Sequence, residues 1–356
     1  MAEQTKNEDP LLTPSPSRHV EDPTIEELAE EAGHTDEVAV RRTLFGWREL
    51  VSTLIPLALI AVAARNVDWG EAGRALARSQ PYLVVLALVV YYATFPLRSW
   101  RWARLLREGG TDLGWSDLLR ILFLGWFVNC VVPAKLGDLY RSFLVKRRFG
   151  VSLSRTVGVV VAERLLDLLV VFLLLIVGGY VAFGRTILPD LRIVYVTGAA
   201  LALLIVAGIA AMYYVAPTLA RFFPAEVRRI GRLFREGVLH SFRALPLAGP
   251  LTVVIWAAEA LRLFFVLTAL GLGLPASGVV FVAVAVALLT TVPLTPAGFG
   301  FVEIAMVYVL TAGFGLSQSD AIAVAVVDRA VSVLSVIVIG AIVYLRTGHE
   351  ERLGAR

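Results

Sequence analysis

Cysteine, histidine and nucleotide-binding glycine motifs are nearly missing from this 356-residue chain. A single cysteine, Cys130, excludes an intramolecular disulfide and a thiolate metal cluster, and reads as a small packing residue. The four histidines, His19, His34, His240 and His349, all lie in polar stretches, so neither a zinc site nor a buried histidine relay is expected. No G-x-x-x-x-G-K-[ST] run occurs, which removes ATP as the direct energy source. No cofactor and no metal is expected, and nucleic acid is not among the expected partners. Charge is sparse too, at 17% of residues with a net +4, so its placement carries more information than its sum.

Apolar residues fill the space. They make up 58% of the chain, with a mean hydropathy of +0.75, and run in long blocks that a soluble domain would not tolerate. A membrane-spanning helix needs roughly 20 mainly apolar residues. The segments that approach this length are Trp47 to Ala64, Pro81 to Arg101, Leu153 to Phe183, Leu191 to Ala216, Leu247 to Leu270 and Asp320 to Leu345. The expected fold is therefore an all-α polytopic integral membrane protein with about six transmembrane helices. Residues 1–40 hold Pro10, Pro14, Pro16 and Pro23 and an acidic cluster, and read as a disordered cytoplasmic tail rather than a cleavable signal. The membrane domain covers 41–346, and 347–356 form a short cytoplasmic C-terminal tail.

Within the membrane domain one pattern occurs twice, about 165 residues apart. The first copy reads Val132-Pro133-Ala134-Lys135-Leu136-Gly137-Asp138, followed by Glu163-Arg164. The second reads Thr295-Pro296-Ala297-Gly298-Phe299-Gly300-Phe301, followed by Asp328-Arg329. Pro133, Gly137, Pro296, Gly298 and Gly300 are the residues that break the backbone. The apolar runs before the breaks, Leu118 to Val132 and Val279 to Val292, are too short to cross a core of about 30 Å, so each should form a re-entrant hairpin. Repeat one spans about 81–216 and repeat two about 247–345.

Arginine and lysine crowd alternate linkers. Arg41, Arg42 and Arg48 flank the start of the first span, Arg141, Lys146, Arg147 and Arg148 follow the first break, and Arg221 to Arg243 carries six arginines. The positive-inside rule places these segments and both termini in the cytoplasm. The first hairpin then opens to the cytoplasm and the second outward, which is an inverted repeat, an arrangement that suits alternating access. The linker Arg221 to Arg243 reads either as an amphipathic helix on the inner leaflet or as a solvated basic loop.

Ionisable residues at membrane depth are costly and mark pathways or ion-paired interiors. Glu163, Arg164 and Asp167 share one helix, Glu259 and Arg262 sit at i,i+3 on another, and Asp328-Arg329 mirror Glu163-Arg164 in depth. Arg98 and Arg101, beside Trp100 and Trp102, read as an interfacial anchor. Helix breaks present unpaired N–H groups, and arginine forks fit phosphate, so Arg164, Arg262 and Arg329 around two breaks would suit a phosphate-bearing headgroup. A structural set of ion pairs is the alternative.

The motifs Arg98-x-x-Arg101-Trp102, Asn129-x-x-x-Pro133, Gly137-Asp138-x-x-Arg141, Glu163-Arg164-x-x-Asp167, Pro293-x-x-Pro296-x-Gly298-x-Gly300-x-x-Glu303 and Asp328-Arg329 together resemble the lysylphosphatidylglycerol synthase transmembrane-domain family. These are flippase-like proteins, and the likeness runs from about Trp47 to Leu345. In well-known members a soluble aminoacyltransferase domain follows the membrane region. This sequence ends soon after its last span, so the resemblance implies translocation rather than synthesis. It also adds Asn129, Asp138, Arg141 and Glu303 to the substrate-binding set, which becomes Asn129, Asp138, Arg141, Glu163, Arg164, Asp167, Glu259, Arg262, Glu303, Asp328 and Arg329, with no catalytic residue among them. The expected function is a lipid translocase of the cell membrane that moves a phosphate-bearing lipid, anionic or zwitterionic, or a polyprenyl-phosphate-linked headgroup between leaflets. The alternatives are a membrane enzyme or accessory subunit of a lipid-linked glycosyltransferase system, and a structural scaffold. A homo-oligomer or a lipid-modifying enzyme partner is left open.

Overall fold

A computed structural model describes residues 73–74, 77–132, 135–183, 192–290 and 296–354. The expected first span, Trp47 to Ala64, and the N-terminal tail of residues 1–40 lie outside the described residues, as does Pro133, whereas residues 347–354 of the expected C-terminal tail continue the last helix. Among the described residues the chain is helical throughout and has no strand. It is an all-α polytopic membrane protein. Four helical stretches are long and apolar enough to cross a membrane, and a fifth is added if the pair bent by 50° at Val215 counts as one span.

Helix α1 (Pro81–Glu108) starts on a proline at its first turn, where no N–H is needed, and runs past the expected end at Arg101. Helices α2 (Trp115–Val131) and α3 (Leu136–Phe149) form the first hairpin. Their antiparallel course follows from which residues meet. The Asn129 side chain accepts from the Gly137 N–H at 2.8 Å, and Gly125, one turn earlier, faces both Gly137 and Arg141. The missing Cβ atoms allow this approach. A methyl group on Gly137 would run into the Gly125 carbonyl and come within 2.7 Å of Asn129 Oδ1. Gly137→Ala should therefore destabilise the protein by about 3 kcal/mol, read as a lower melting temperature in detergent, whereas Gly150→Ala, with nothing within 4 Å and only its left-handed backbone to strain, should cost about 1 kcal/mol.

Helix α4 (Leu153–Phe183) is the long central span, and α5 (Arg192–Tyr214) follows it. Helix α6 (Ala225–Ser241) occupies the basic linker. It does not lie alone: Ser154 donates to the Ile230 carbonyl, Arg155 pairs with Glu236 at 3.0 Å, and Gly158 and Gly237 bring the α4 and α6 backbones into direct contact. The constant spacing of these partners means α6 runs alongside the start of α4, with Val227 and Ile230 left exposed. The amphipathic reading of this linker thus holds for its helicity, but half of the helix is fixed to protein.

Helix α7 (Leu245–Ala269) is the partner of α1 in the second repeat. Helix α8 (Ala276–Thr290), a 3-10 turn at Pro296–Gly298 and α9 (Phe301–Tyr308) form the second hairpin. Its legs are also antiparallel, since Gly278 and Phe281 near the start of α8 meet Phe314 beyond the end of α9. Finally α10 (Gln318–Arg329) passes through a π-turn at Ala330–Leu334 into α11 (Ser335–Gly354). Ser317 caps α10 by accepting from the Asp320 N–H.

Candidate functional site

Among the described residues only two non-glycine residues have a left-handed backbone, and each stands in one of the two breaks: Lys135 at φ 53° and Ala297 at φ 49°. Such a conformation is disfavoured for any side chain with a Cβ, so the two hairpins share an unusual backbone feature as well as a sequence pattern. The breaks bring charged side chains from six helices toward the middle of the bundle.

In the first repeat, Arg101 of α1 is completely buried and donates to Asp167 at 2.6 Å, Glu163 at 2.8 Å and Thr252 at 2.7 Å. Arg141 of α3 donates to the other Glu163 oxygen at 2.7 Å and lies over the buried Trp102 ring. Glu163 is therefore clasped between two guanidinium groups. Arg164, next along α4, makes a two-pronged pair with Asp138 at 2.7 and 2.8 Å. In the second repeat, Arg262 of α7 bridges Glu259 at 3.0 Å and Asp328 of α10, while Arg98 takes the other Glu259 oxygen at 2.7 Å. Arg329 pairs with Glu303, their nearest atoms 2.7 Å apart, but the angle is poor and both Glu303 oxygens lack a true hydrogen bond. Arg329 also reaches the Ala297 carbonyl at 3.3 Å, and its Nη2 has no partner.

The two copies are thus related in their pairing. Arg164 binds the acid in the first turn of α3, and Arg329 binds the acid in the first turn of α9, at the same sequence separation. The counterpart of Asp138 is consequently Glu303, two residues beyond the position that alignment of the Pro-Ala breaks would assign. Buried pairs of this kind are costly to desolvate, and losing one partner is far worse than losing both.

Between the hairpins lies a cavity of about 410 Å³. The first repeat contributes Arg98, Trp126, Asn129, Cys130, Lys135, Asp138, Arg164 and Asp167 to its wall. The second contributes Trp256, Glu259, Arg262, Gly298, Asp328 and Arg329, and Ala297 and Ser332 complete the far side. Arg98, Lys135, Arg164, Arg262 and Arg329 stand against Asp138, Asp167, Glu259 and Asp328, which leaves one positive charge over. The Tyr91 ring packs under Arg262, and its hydroxyl donates at 2.9 Å to the Ser332 carbonyl inside the π-turn.

A family model described as the lysylphosphatidylglycerol synthase TM region matches residues 49–340. The chain belongs to that family. It is similar to a UPF0104 membrane protein of Methanocaldococcus jannaschii, 32% identical over 61% of this chain and 93% of the relative. A UPF0104 membrane protein of Methanothermobacter thermautotrophicus is 25% identical over 84% of this chain and 97% of its own length. Glycosyltransferase AglD of Haloferax volcanii is 29% identical over 79% of this chain, which matches 51% of that relative.

In this member of the lysylphosphatidylglycerol synthase transmembrane family, the residues expected from sequence separate into two layers. Asn129, Asp138, Arg164, Asp167, Glu259, Arg262, Asp328 and Arg329 face the cavity, as does Gly298. Arg141, Glu163 and Glu303 lie outside its wall: Glu303 pairs with Arg329, Arg141 approaches Asp138 at 3.5 Å, and Glu163 binds Arg101 and Arg141 behind the facing residues. Gly137 closes the first hairpin, and Pro296 and Gly300 shape the second break. Arg98 and Arg101 are not an interfacial anchor. Both are buried, because α1 continues for two turns beyond them and Trp102 is itself fully buried. Cavity residues outside that expected set include Arg98, Lys135, Tyr91, Trp126 and Trp256. Lys135 was legible as a charge inside a break; the aromatics, on apolar faces, carried no signal.

Proposed function

We propose that this membrane protein moves a phosphate-bearing lipid between leaflets of the cell membrane, with the central cavity receiving the headgroup. The observation that carries this reading is the convergence of both broken hairpins, with their arginines, on one cavity of about 410 Å³. That volume accommodates a polar headgroup and leaves the acyl chains in lipid. The opposite orientation inferred from charge placement gives one hairpin access from each side. Both termini are then cytoplasmic. The pairing pattern supports passage as well as binding, because acids beside each arginine limit how tightly an anion is held.

The test is reconstitution of the full chain into vesicles that contain tail-labelled fluorescent phosphatidylglycerol. An impermeant reductant bleaches only the outer leaflet of empty vesicles, about half of the label. Vesicles with the protein should lose nearly all of it. Bleaching that stays at the empty-vesicle level for anionic, zwitterionic and polyprenyl-phosphate lipids alike defeats the reading.

A second reading, an accessory role in glycosyl transfer to a lipid, is favoured by the likeness to Glycosyltransferase AglD. It predicts transfer of labelled sugar to lipid that depends on a partner enzyme. Against a general acid–base role, every acid in the cavity wall is ion-paired.

A further inference from the structure

The segment that joins α5 to α6 leaves an apolar and strongly basic surface uncovered. Where α5 ends, the exposed rings of Tyr213 and Tyr214 mark the membrane–water boundary, as aromatic residues do at the ends of spans. The chain then bends by 50° and passes through the short helices Ala216–Leu219 and Ala220–Phe222 into α6. Everything from 221 to 232 is exposed, whereas Gly237, Val238 and Ser241, in the second half of α6, are buried. Val227 and Ile230 lie on the same helical face as Gly237 and Val238, so the apolar stripe that docks on α4 runs on past its partner. Just before it, Phe222, at 81% exposure, and Phe223 add two uncovered rings. The same stretch carries Arg221, Arg228, Arg229, Arg232 and Arg235 against two acids. Glu236 is taken by Arg155 of α4 and Glu226 by Arg229, and among the described residues no acid pairs with the other four arginines.

We propose that this α5–α6 elbow is a membrane-surface anchor that docks on anionic lipid of the cytoplasmic leaflet, outside the central cavity and independent of what the cavity carries. A span exit, uncovered aromatics and unpaired arginines at one level are what an interfacial helix presents to a charged leaflet. The rings and aliphatic side chains enter the acyl boundary, and the guanidinium groups meet lipid phosphates and carboxylates. The excess of arginine places this leaflet on the cytoplasmic side. An acidic soluble protein could pair with the same arginines, but the rings stand where α5 leaves the bilayer, within reach of lipid. The seat is local. The close approach of Gly158 and Gly237 fixes the second half of α6 to α4, so docking involves the first half and the two short helices alone.

The full chain with Val227→Cys in a Cys130→Ala background, labelled with a nitrobenzoxadiazole dye and placed in nanodiscs, tests this. Dithionite destroys the dye only where water reaches it. Reduction should be at least about tenfold slower in nanodiscs that contain phosphatidylserine than in phosphatidylcholine alone, since each arginine near an anionic surface is worth about fivefold in binding. High salt should abolish the difference by screening. Arg228→Gln combined with Arg232→Gln removes two exposed charges and keeps good helix formers, so folding should be unchanged while the rate with phosphatidylserine returns to within about twofold of that in phosphatidylcholine. Arg107→Gln, whose arginine is exposed but paired with Asp112, should leave the protection within about twofold of the parent. The proposal is overturned if the dye is equally protected, or equally open, with and without phosphatidylserine, which would leave the arginines to an acidic soluble partner. It is also overturned if the protection survives high salt or the paired Arg→Gln changes, or if Arg107→Gln removes it as fully as they do.

Discussion

Arg101→Ala should cost about 3–5 kcal/mol of stability, lowering the melting temperature in detergent by roughly 10 °C. Arg101 is wholly enclosed, and it supplies the close partner of Asp167 and one of the two partners of Glu163. Without it Asp167 keeps only the Arg164 contact at 3.5 Å, and a buried carboxylate is left largely uncompensated. Arg101→Lys restores the charge but not the fork, so it should fall between the two. The contrast is Arg107→Ala. Arg107 pairs with Asp112 at a similar distance, but both side chains are more than half exposed, and the change should cost well under 1 kcal/mol. Burial, rather than distance, separates the two arginines. Equal stability losses for Arg101→Ala and Arg107→Ala would refute the assignment of Arg101 as the central structural cation.

Arg164→Ala should reduce lipid movement in reconstituted vesicles by about tenfold to a hundredfold while lowering stability less than Arg101→Ala does. Arg164 is partly open to the cavity, with 28% of its side chain exposed, and its two-pronged bond to Asp138 joins α4 to the first hairpin. Exchange of the pair separates its roles. Arg164→Asp combined with Asp138→Arg can rebuild an ion pair, so folding should return toward wild type. Transport should not return, because the cation would now sit on the hairpin rather than on the span. Full recovery of transport by the exchange would make the pair purely structural.

Much of this organisation was legible in the sequence. The span Leu153–Phe183 has the expected ends because its apolar run is bounded by polar linkers. The two hairpins announced themselves through short apolar runs closed by Pro/Gly breaks. What escaped was anything that depends on a distant partner. Arginine and tryptophan at the end of an apolar run look the same whether they meet lipid headgroups or a buried glutamate, and only packing against α4 and α7 decides. The equivalence of Asp138 and Glu303 was hidden by a two-residue difference in break length. The π-turn after Arg329 left no mark either, because its residues, Ala330 to Leu334, suit an ordinary helix equally well. It puts irregular backbone beside the second arginine, whereas α4 continues as regular helix past the first. Family membership fixes the membrane architecture, while the character of the site rests on these particular side chains.

The most direct test is whether this one cavity is reached from both sides of the membrane. Ser332 lines it, and Ser332→Cys in a Cys130→Ala background places a single thiol there. An impermeant thiol reagent applied to either face of oriented vesicles should label that thiol, and phosphatidylglycerol should slow labelling from both. Labelling from one face only, however long the exposure, would contradict alternating access to a shared site.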